Sequence, residues 1–273
     1  MNNEHRGRLT KDGIRIYEQT DFFGMHAAGA LAARILDDIA AHVFVGQTTE
    51  EIDRLITKMV DDAGAKSATI GYKGYQHASC ISVNHVVCHG IPNSAKKLKD
   101  GDILNIDVTV IVDGWFGDTS RMYVAGKLPR KAERLIDVTH DALMRGIEVV
   151  KPGNTFGDIG HAIQTFVESH RMSVVRDFCG HGLGRVFHAP PNVLHYGRPG
   201  TGARLEEGMI FTIEPMVNLG RPETKTLSDD WTAVTRDKSL SAQFEHSVGV
   251  TATGVEIFTL SPAGMFHSTL AVD

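Results

Sequence analysis

Residues 98–123 read LKDGDILNIDVTVIVDGWFGDTSRMY, and this stretch decides the fold. Ile103, Leu104, Ile106, Val108, Val110 and Val112 are strand formers, Asp113-Gly114 is a tight-turn signal, and Trp115 to Tyr123 runs back. The reading is a β-hairpin. Two acids break its apolar pattern, Asp107 before the turn and Asp118 after it. The turn begins six residues after the first and ends four before the second, so the two are expected side by side, give or take a bulge. Two carboxylates at one buried point repel each other and are costly to desolvate. Edge acids facing water are the plainer reading, and a metal site is the sharper one.

Part of the stretch recurs. LKDGDILNID from Leu98 resembles LEEGMIFTIE from Leu205, a shift of 205 − 98 = 107 that puts Glu214 where Asp107 stands. Upstream, Gly46-Gln47-Thr48 and Glu51-Ile52 return as Gly153-Asn154-Thr155 and Asp158-Ile159, again shifted by 153 − 46 = 107. One shift shared by separate segments points to a duplicated αβ half. Related halves usually pack about a pseudo-twofold, where an acid from each can meet at the centre.

The 273 residues, 42% of them hydrophobic, suffice for one large domain or two fused halves. The net charge, 28 − 33 = −5, does not suit a protein built to coat nucleic acid or an anionic membrane. MNNEHRGRLTKDG has no apolar core and does not read as a secretory signal. No run approaches the length of uncharged apolar sequence that spans a bilayer. Three cysteines (Cys80, Cys88, Cys179), with no CxxC pair, argue against a disulfide framework and a structural zinc site, and a reducing cytoplasm is the expected compartment.

Residues 1–20 form an arm of mixed charge. A helix is expected from Phe22, with Met25, Ala28, Ala32, Ile35, Ile39 and Val43 as its stripe. Thr48 with Glu51, and Thr155 with Asp158, cap two further helices, and Pro129 opens another that runs to about Val150. ISV and VVC (81–83, 86–88) read as strand, and residues 218–230 as a polar loop. Trp231 to Thr235 and Leu240 to Thr251 read as strands, the second carrying Glu245. GHGLG (180–184) lacks the full dinucleotide spacing and the acid that should follow it, so its glycines are expected to let backbone crowd His181.

Asp107, Asp118, His181, Glu214 and Glu245 are therefore the candidate cluster. The four acids lie in or beside apolar, β-leaning runs, where they could not all stay ionised without cations. Four carboxylates and an imidazole suit hard or borderline divalent ions such as Mn, Fe, Co or Zn, and exceed what one tetrahedral zinc needs. Two metals bridged by carboxylates would use all five. The rival is pairing with bases, of which Arg121 and Arg185 are the nearest in sequence.

CHGIP (88–92), NIDVTVIVDGWFGDTSRMY (105–123), CGHGLGRVFHAPPNVLHY (179–196), GMIFTIEPM (208–216) and DWTAVTRDKSLSAQFEHSVGVT (230–251) resemble the type I methionine aminopeptidases. The resemblance runs from about Gly24 to Thr259. It implies an α+β "pita-bread" fold, in which duplicated αβ halves flank a curved antiparallel sheet. It also implies a single catalytic domain over 1–273, with halves of roughly 22–128 and 129–260. The step from His188 to Glu214, 214 − 188 = 26, is too short for the helical insertion of the type II enzymes.

By the same resemblance, Asp107 would ligate one metal, Asp118 and Glu245 would bridge two, and His181 and Glu214 would complete the other. The ions would be two divalent metals drawn from Co, Mn, Fe, Zn or Ni. Glu214 would be general base to a metal-bridged hydroxide that attacks the first peptide carbonyl. His89 and His188 would contact substrate and transition state. Tyr72, Tyr75, Cys80, Phe187 and Trp231 would hold the methionine side chain, whose thioether packs well on aromatic edges. The implied reaction removes the initiator methionine from nascent chains with a small second residue. The implied protein is a cytoplasmic monomer, free of membrane, making transient ribosome contact, for which Lys96, Lys97 and Lys99 are candidates, although a solvated face is the plainer reading of three lysines. Thr69, where many relatives have a cysteine, and His85, where an acid is more usual, depart from the pattern. His5, His26, His42, His140, His161, His170 and His267 are expected at the surface. Rival readings are a prolidase or Xaa-Pro aminopeptidase, a metal-free creatinase-like enzyme, and a non-enzymatic ribosome or RNA binder.

Overall fold

The structure is a computed structural model that describes residues 7–265. β1 (Arg8–Leu9) and β2 (Arg15–Ile16) pair ahead of α1 (Phe22–Asp38) and α2 (Thr49–Asp62). Then come β3 (Lys66–Ser67), β4 (Ser79–Val83), β5 (Val86–Cys88), β6 (Asp102–Val112) and β7 (Trp115–Ala125). α3 (Arg130–Glu148), α4 (Phe156–Ser169), β8 (Ser173–Val174), β9 (Gly180–Gly182) and β10 (Ala189–Val193) follow. β11 (Ile210–Ile213), β12 (Met216–Asn218), β13 (Thr224–Thr226), β14 (Ala233–Thr235), β15 (Ser241–Gln243), β16 (His246–Val250) and β17 (Val255–Ile257) complete the order. All the strand pairs are antiparallel, and the class is α+β as expected.

The opening hairpin is β6–β7. Asp113 and Gly114 both take positive φ, 49° and 79°, as a two-residue turn between right-twisted strands demands. Val112 stands opposite Trp115, and the register runs without a bulge to Asp102 opposite Ala125. This corrects the side-by-side expectation. Asp107 faces Ser120 and Asp118 faces Thr109, because the tight turn pairs residues whose numbers sum two higher than those of the acids. The acids are diagonal neighbours on one face.

Alternation along β6 then decides what each face does. Leu104, Ile106, Val108 and Val110 pack with Ile35, Leu36 and Ile39 of the first helical segment and Ile52 and Ile56 of α2. Each such fully buried Leu or Ile contributes about 1.5–3 kcal/mol. Asn105, Asp107 and Thr109 necessarily point the other way, off the helical layer.

The second sheet has order β10-β9-β11-β16-β17, and Phe211 and Ile213 of β11 pack with Ile136 and Leu143 of α3 and Ile159 and Ile163 of α4. The two halves match in detail. α2 and α4 each have 14 residues and begin 156 − 49 = 107 apart. Both carry a capping box, Thr48 with Glu51 and Thr155 with Asp158. The bridges Thr48↔Lys97 and Thr155↔Arg204 repeat the same shift. A further bridge, Ser120↔Glu245, joins one half to the other.

Two other expectations change. The polar stretch 218–230 contains β13, which pairs with β14. The strand expected over 240–251 is broken into β15 and β16, and Glu245 sits at the break. Among the described residues no helix is long and apolar enough to cross a membrane.

Candidate active site

Asp107, Asp118, His181, Glu214, Glu245, His89, His188, Tyr72, Tyr75, Cys80, Phe187 and Trp231 all line one cavity of about 350 Å³. They come from both halves and from the loops over them. Asp107 and Asp118 stand on the β6–β7 hairpin, and the Ser120↔Glu245 bridge sets Glu245 beside the partner of Asp107. Glu214 follows β11, and His181 is the middle residue of β9, which pairs with that strand. A Cβ on Gly180 would strike the Thr212 carbonyl and one on Gly182 the Pro190 carbonyl, so glycines do let backbone close round His181.

The donor geometry is specific. His181 Nδ1 donates to the Gly182 carbonyl at 3.1 Å, which leaves Nε2 facing Asp118 Oδ2 at 3.4 Å and Glu214 Oε1 at 3.8 Å. Thr109 Oγ1 donates to Asp118 Oδ1 at 2.7 Å, and Thr212 Oγ1 donates to Glu214 Oε1 at 2.9 Å. Gln243 Nε2 reaches Glu214 Oε2 at 3.3 Å. Asp118, His181 and Glu245 offer ligand atoms within 4.8 Å of one another.

Electrostatics show how poorly this cluster suits bare charge. Burial first, then Asp118 and Glu214, holds Asp107 well above the usual carboxylate range. Burial, then Asp118, Glu214 and Asp107, does the same to Glu245. Burial and Asp118 push Glu214 up to about 7 against the pull of His181. Burial opposes charge on His181, yet the Asp118 hydrogen bond and the nearby acids raise it to about 9. A neutral imidazole would aim a lone pair at two carboxylates, which needs a positive centre between them. A protonated His181 can supply only one charge among four carboxyl groups, and neither nearby arginine adds another. Arg121 is paired with Asp37 at 2.6 Å, and Arg185 lies over the Trp115 ring, 4.9 Å from its centroid. The donor set therefore fits divalent cations.

An aromatic wall borders the cluster. Tyr72 lies 4.9 Å from Phe187 and stacks on His188 at 5.1 Å, and Tyr75 lies 4.9 Å from Trp231. His89 meets Phe178 edge-on at 5.4 Å and Trp231 at 6.1 Å. His89 and His188 both hold left-handed backbone, φ 56° and 59°, a cost of about 1–3 kcal/mol each that clusters at functional sites. Burial lowers the basicity of both, with His181 adding to the effect on His188. Burial raises the thiols of Cys80, Cys88 and Cys179, so none is a thiolate nucleophile at neutral pH.

Thr69 lines the cavity and donates to the His77 carbonyl at 2.7 Å, whereas His85 is exposed in the β4–β5 turn and lies outside the lining. Of the histidines expected at the surface, His5 and His267 lie outside the described residues. His140 is instead packed edge-on against Phe244 at 5.3 Å, because it faces inward from α3.

Sequence reasoning missed Thr109, Thr212, Gln243 and His195. The threonines were findable, since each lies two residues from an acid on the same strand or its extension and so shares its face. His195 is fully buried and accepts the Glu214 N–H at 3.0 Å. Nothing in the local pattern signals that contact or the one from Gln243.

Residues 24–252 match the model of metallopeptidase family M24. The chain is 58% identical to the methionine aminopeptidase of Rickettsia prowazekii over 91% of its own length and 96% of the relative's. It is 52% identical to the methionine aminopeptidase of Escherichia coli K12, over 90% and 94%. The crystal structure of the Rickettsia prowazekii enzyme superposes with a TM-score of 0.89, covering 90% of this chain and all of that one. The likeness bears out the pita-bread fold.

Proposed function

This chain belongs to metallopeptidase family M24, among its methionine aminopeptidases, and from that premise we propose that it removes the initiator methionine from nascent chains whose second residue is small. The observation that carries the reading is the single cavity lined by all twelve candidate residues.

In this reading Asp107, Asp118, His181, Glu214 and Glu245 hold two divalent ions, drawn from Co, Mn, Fe, Zn or Ni. Bound there, the ions would supply Lewis acidity and an acidified water. Tyr72, Tyr75, Cys80, Phe187 and Trp231 grip the methionine side chain, the thioether lying against ring edges. Glu214 takes the proton of the attacking water, its carboxylate held in place by Thr212 at Oε1 and Gln243 at Oε2. Neutral His188 donates its ring N–H to the carbonyl oxygen as negative charge grows there. His89 steadies the scissile amide, and the proton held on Glu214 passes to the leaving amine, directly or relayed by His89.

Residues 1–273 are on this reading one catalytic domain, with halves of roughly 22–128 and 129–260 supported by the shared shift of 107. Of the arm at 1–20, residues 1–6 lie outside the described part. We further place the protein in the cytoplasm as a monomer that meets the ribosome transiently; Lys96, Lys97 and Lys99 are exposed, as a solvated face also requires.

The test is release of free methionine from Met-Ala-Ser and Met-Leu-Ser, in EDTA and then with Mn or Co restored. Cleavage of the first alone, lost in EDTA and regained with metal, is expected. Metal-loaded protein that cleaves neither peptide would refute the reading.

A further inference from the structure

The 350 Å³ cavity is at the small end of ligand sites and accommodates little beyond one residue and the bond after it. The rest of a polypeptide substrate must lie elsewhere. A second, larger groove of about 1400 Å³ adjoins the cavity, and Cys179, His181 and His188 line both. One wall is the N-terminal hairpin segment 8–14, and the other is β10 and its continuation to Tyr196. The exposed Arg8–Glu206 ion pair at 2.8 Å joins the hairpin segment to residues 201–209, which also line the groove.

Resting on the function proposed above, we propose that this groove seats the polypeptide downstream of the scissile bond. Leu9 of the hairpin segment and Leu194 after β10, 57% and 40% exposed, both present apolar surface to the groove. Exposed Lys11 and Arg204 line it as well, so the groove offers an apolar grip and polar contacts without a fixed pattern. That mixture suits an extended chain of varied sequence.

β10 is the edge of its sheet, and Pro190 and Pro191 deprive that edge of two N–H donors. A second copy of the protein therefore cannot simply add a strand there. Continuity with the cavity singles out the chain whose first residue already occupies it.

The experiment compares kcat/KM for metal-loaded protein on Met-Ala-Ser and on the same peptide extended by roughly six residues, about 20 Å of extended chain. The longer peptide should be the better substrate by about tenfold, the factor that burying one or two side chains supplies. Leu9→Asp and Leu194→Asp, one on each wall and both at exposed positions, should each remove most of that advantage. Neither should move kcat/KM for the tripeptide beyond about twofold, since surface changes are usually close to neutral. Equal kcat/KM for the two lengths, or equal losses on both peptides in both variants, would overturn the groove and leave the proposed function standing. Failure of the unmodified protein on both lengths would overturn the function itself and the groove with it.

Discussion

Asp118 stands opposite Thr109 in the hairpin, one diagonal step from Asp107 on the same face of the sheet. The offset lets the two acids share a cavity without occupying one pair position, and it leaves Ser120, opposite Asp107, free to bridge to Glu245.

In chelator-treated protein, Asp118→Asn should raise Tm. The change relieves Asp107 and Glu245, both held in the proton-bound form in part by the Asp118 charge, and Asn can still accept from Thr109. At about 2–4 °C per kcal/mol, a shift of a few degrees is expected, with metal affinity falling. A lower Tm for the metal-free variant would show that repulsion does not dominate here.

The pH dependence of the metal-free protein follows. Glu214 rises from 4.5 to about 7 on folding, so the folded state binds more protons and stability falls as pH climbs through that window. His181 rises from 6.5 to about 9, so its contribution is full below 6.5 and lost as pH passes 9. Both have the same sign. Below about pH 6.5 the buried histidines His89, His188, His195 and His246, whose basicity folding lowers, oppose this trend, but above it they are neutral in both states. Tm measured in chelator between pH 7 and 9 should therefore decline, and saturation with metal should flatten the decline.

Glu214→Gln should lower kcat by about 10²–10⁴-fold. Gln can keep an acceptor for Thr212, so the circular dichroism spectrum should match the unmodified protein. Equal kcat in the variant would remove Glu214 from the proton-transfer role.

His195→Ala should be costly far from any substrate contact. The ring is fully buried, and its Nε2 takes the Glu214 N–H. Orphaning that N–H costs about 1–3 kcal/mol, and the cavity adds to it. Urea unfolding should show the loss, and kcat should drop because the backbone carrying Glu214 is no longer held.

Asp37→Ala should destabilise by about 3–5 kcal/mol, because it strands a buried Arg121. It also removes the acceptor for Ser261 Oγ and the Ala263 N–H, which tie the C-terminal segment to α1. The double change Asp37→Ala with Arg121→Met should cost less than Asp37→Ala alone, and denaturant midpoints would decide it.

The chain's own letters determined the elements and the acids. Alternation in β6 assigned a helical face and an acidic face, the Asp113-Gly114 turn located the hairpin, whose pairing differs from the side-by-side reading of its acids, and the shift of 107 exposed the matching halves. Those are local facts, because strand period and turn type are set within a few residues. Only the tertiary structure decided how the halves meet. It put Glu245 at a strand break beside Ser120, brought Gln243 and His195 onto Glu214, and turned the His181 Nε2 toward two carboxylates. These contacts join residues far apart in the chain, and their geometry depends on how separate sheets and loops come together, which no local pattern encodes.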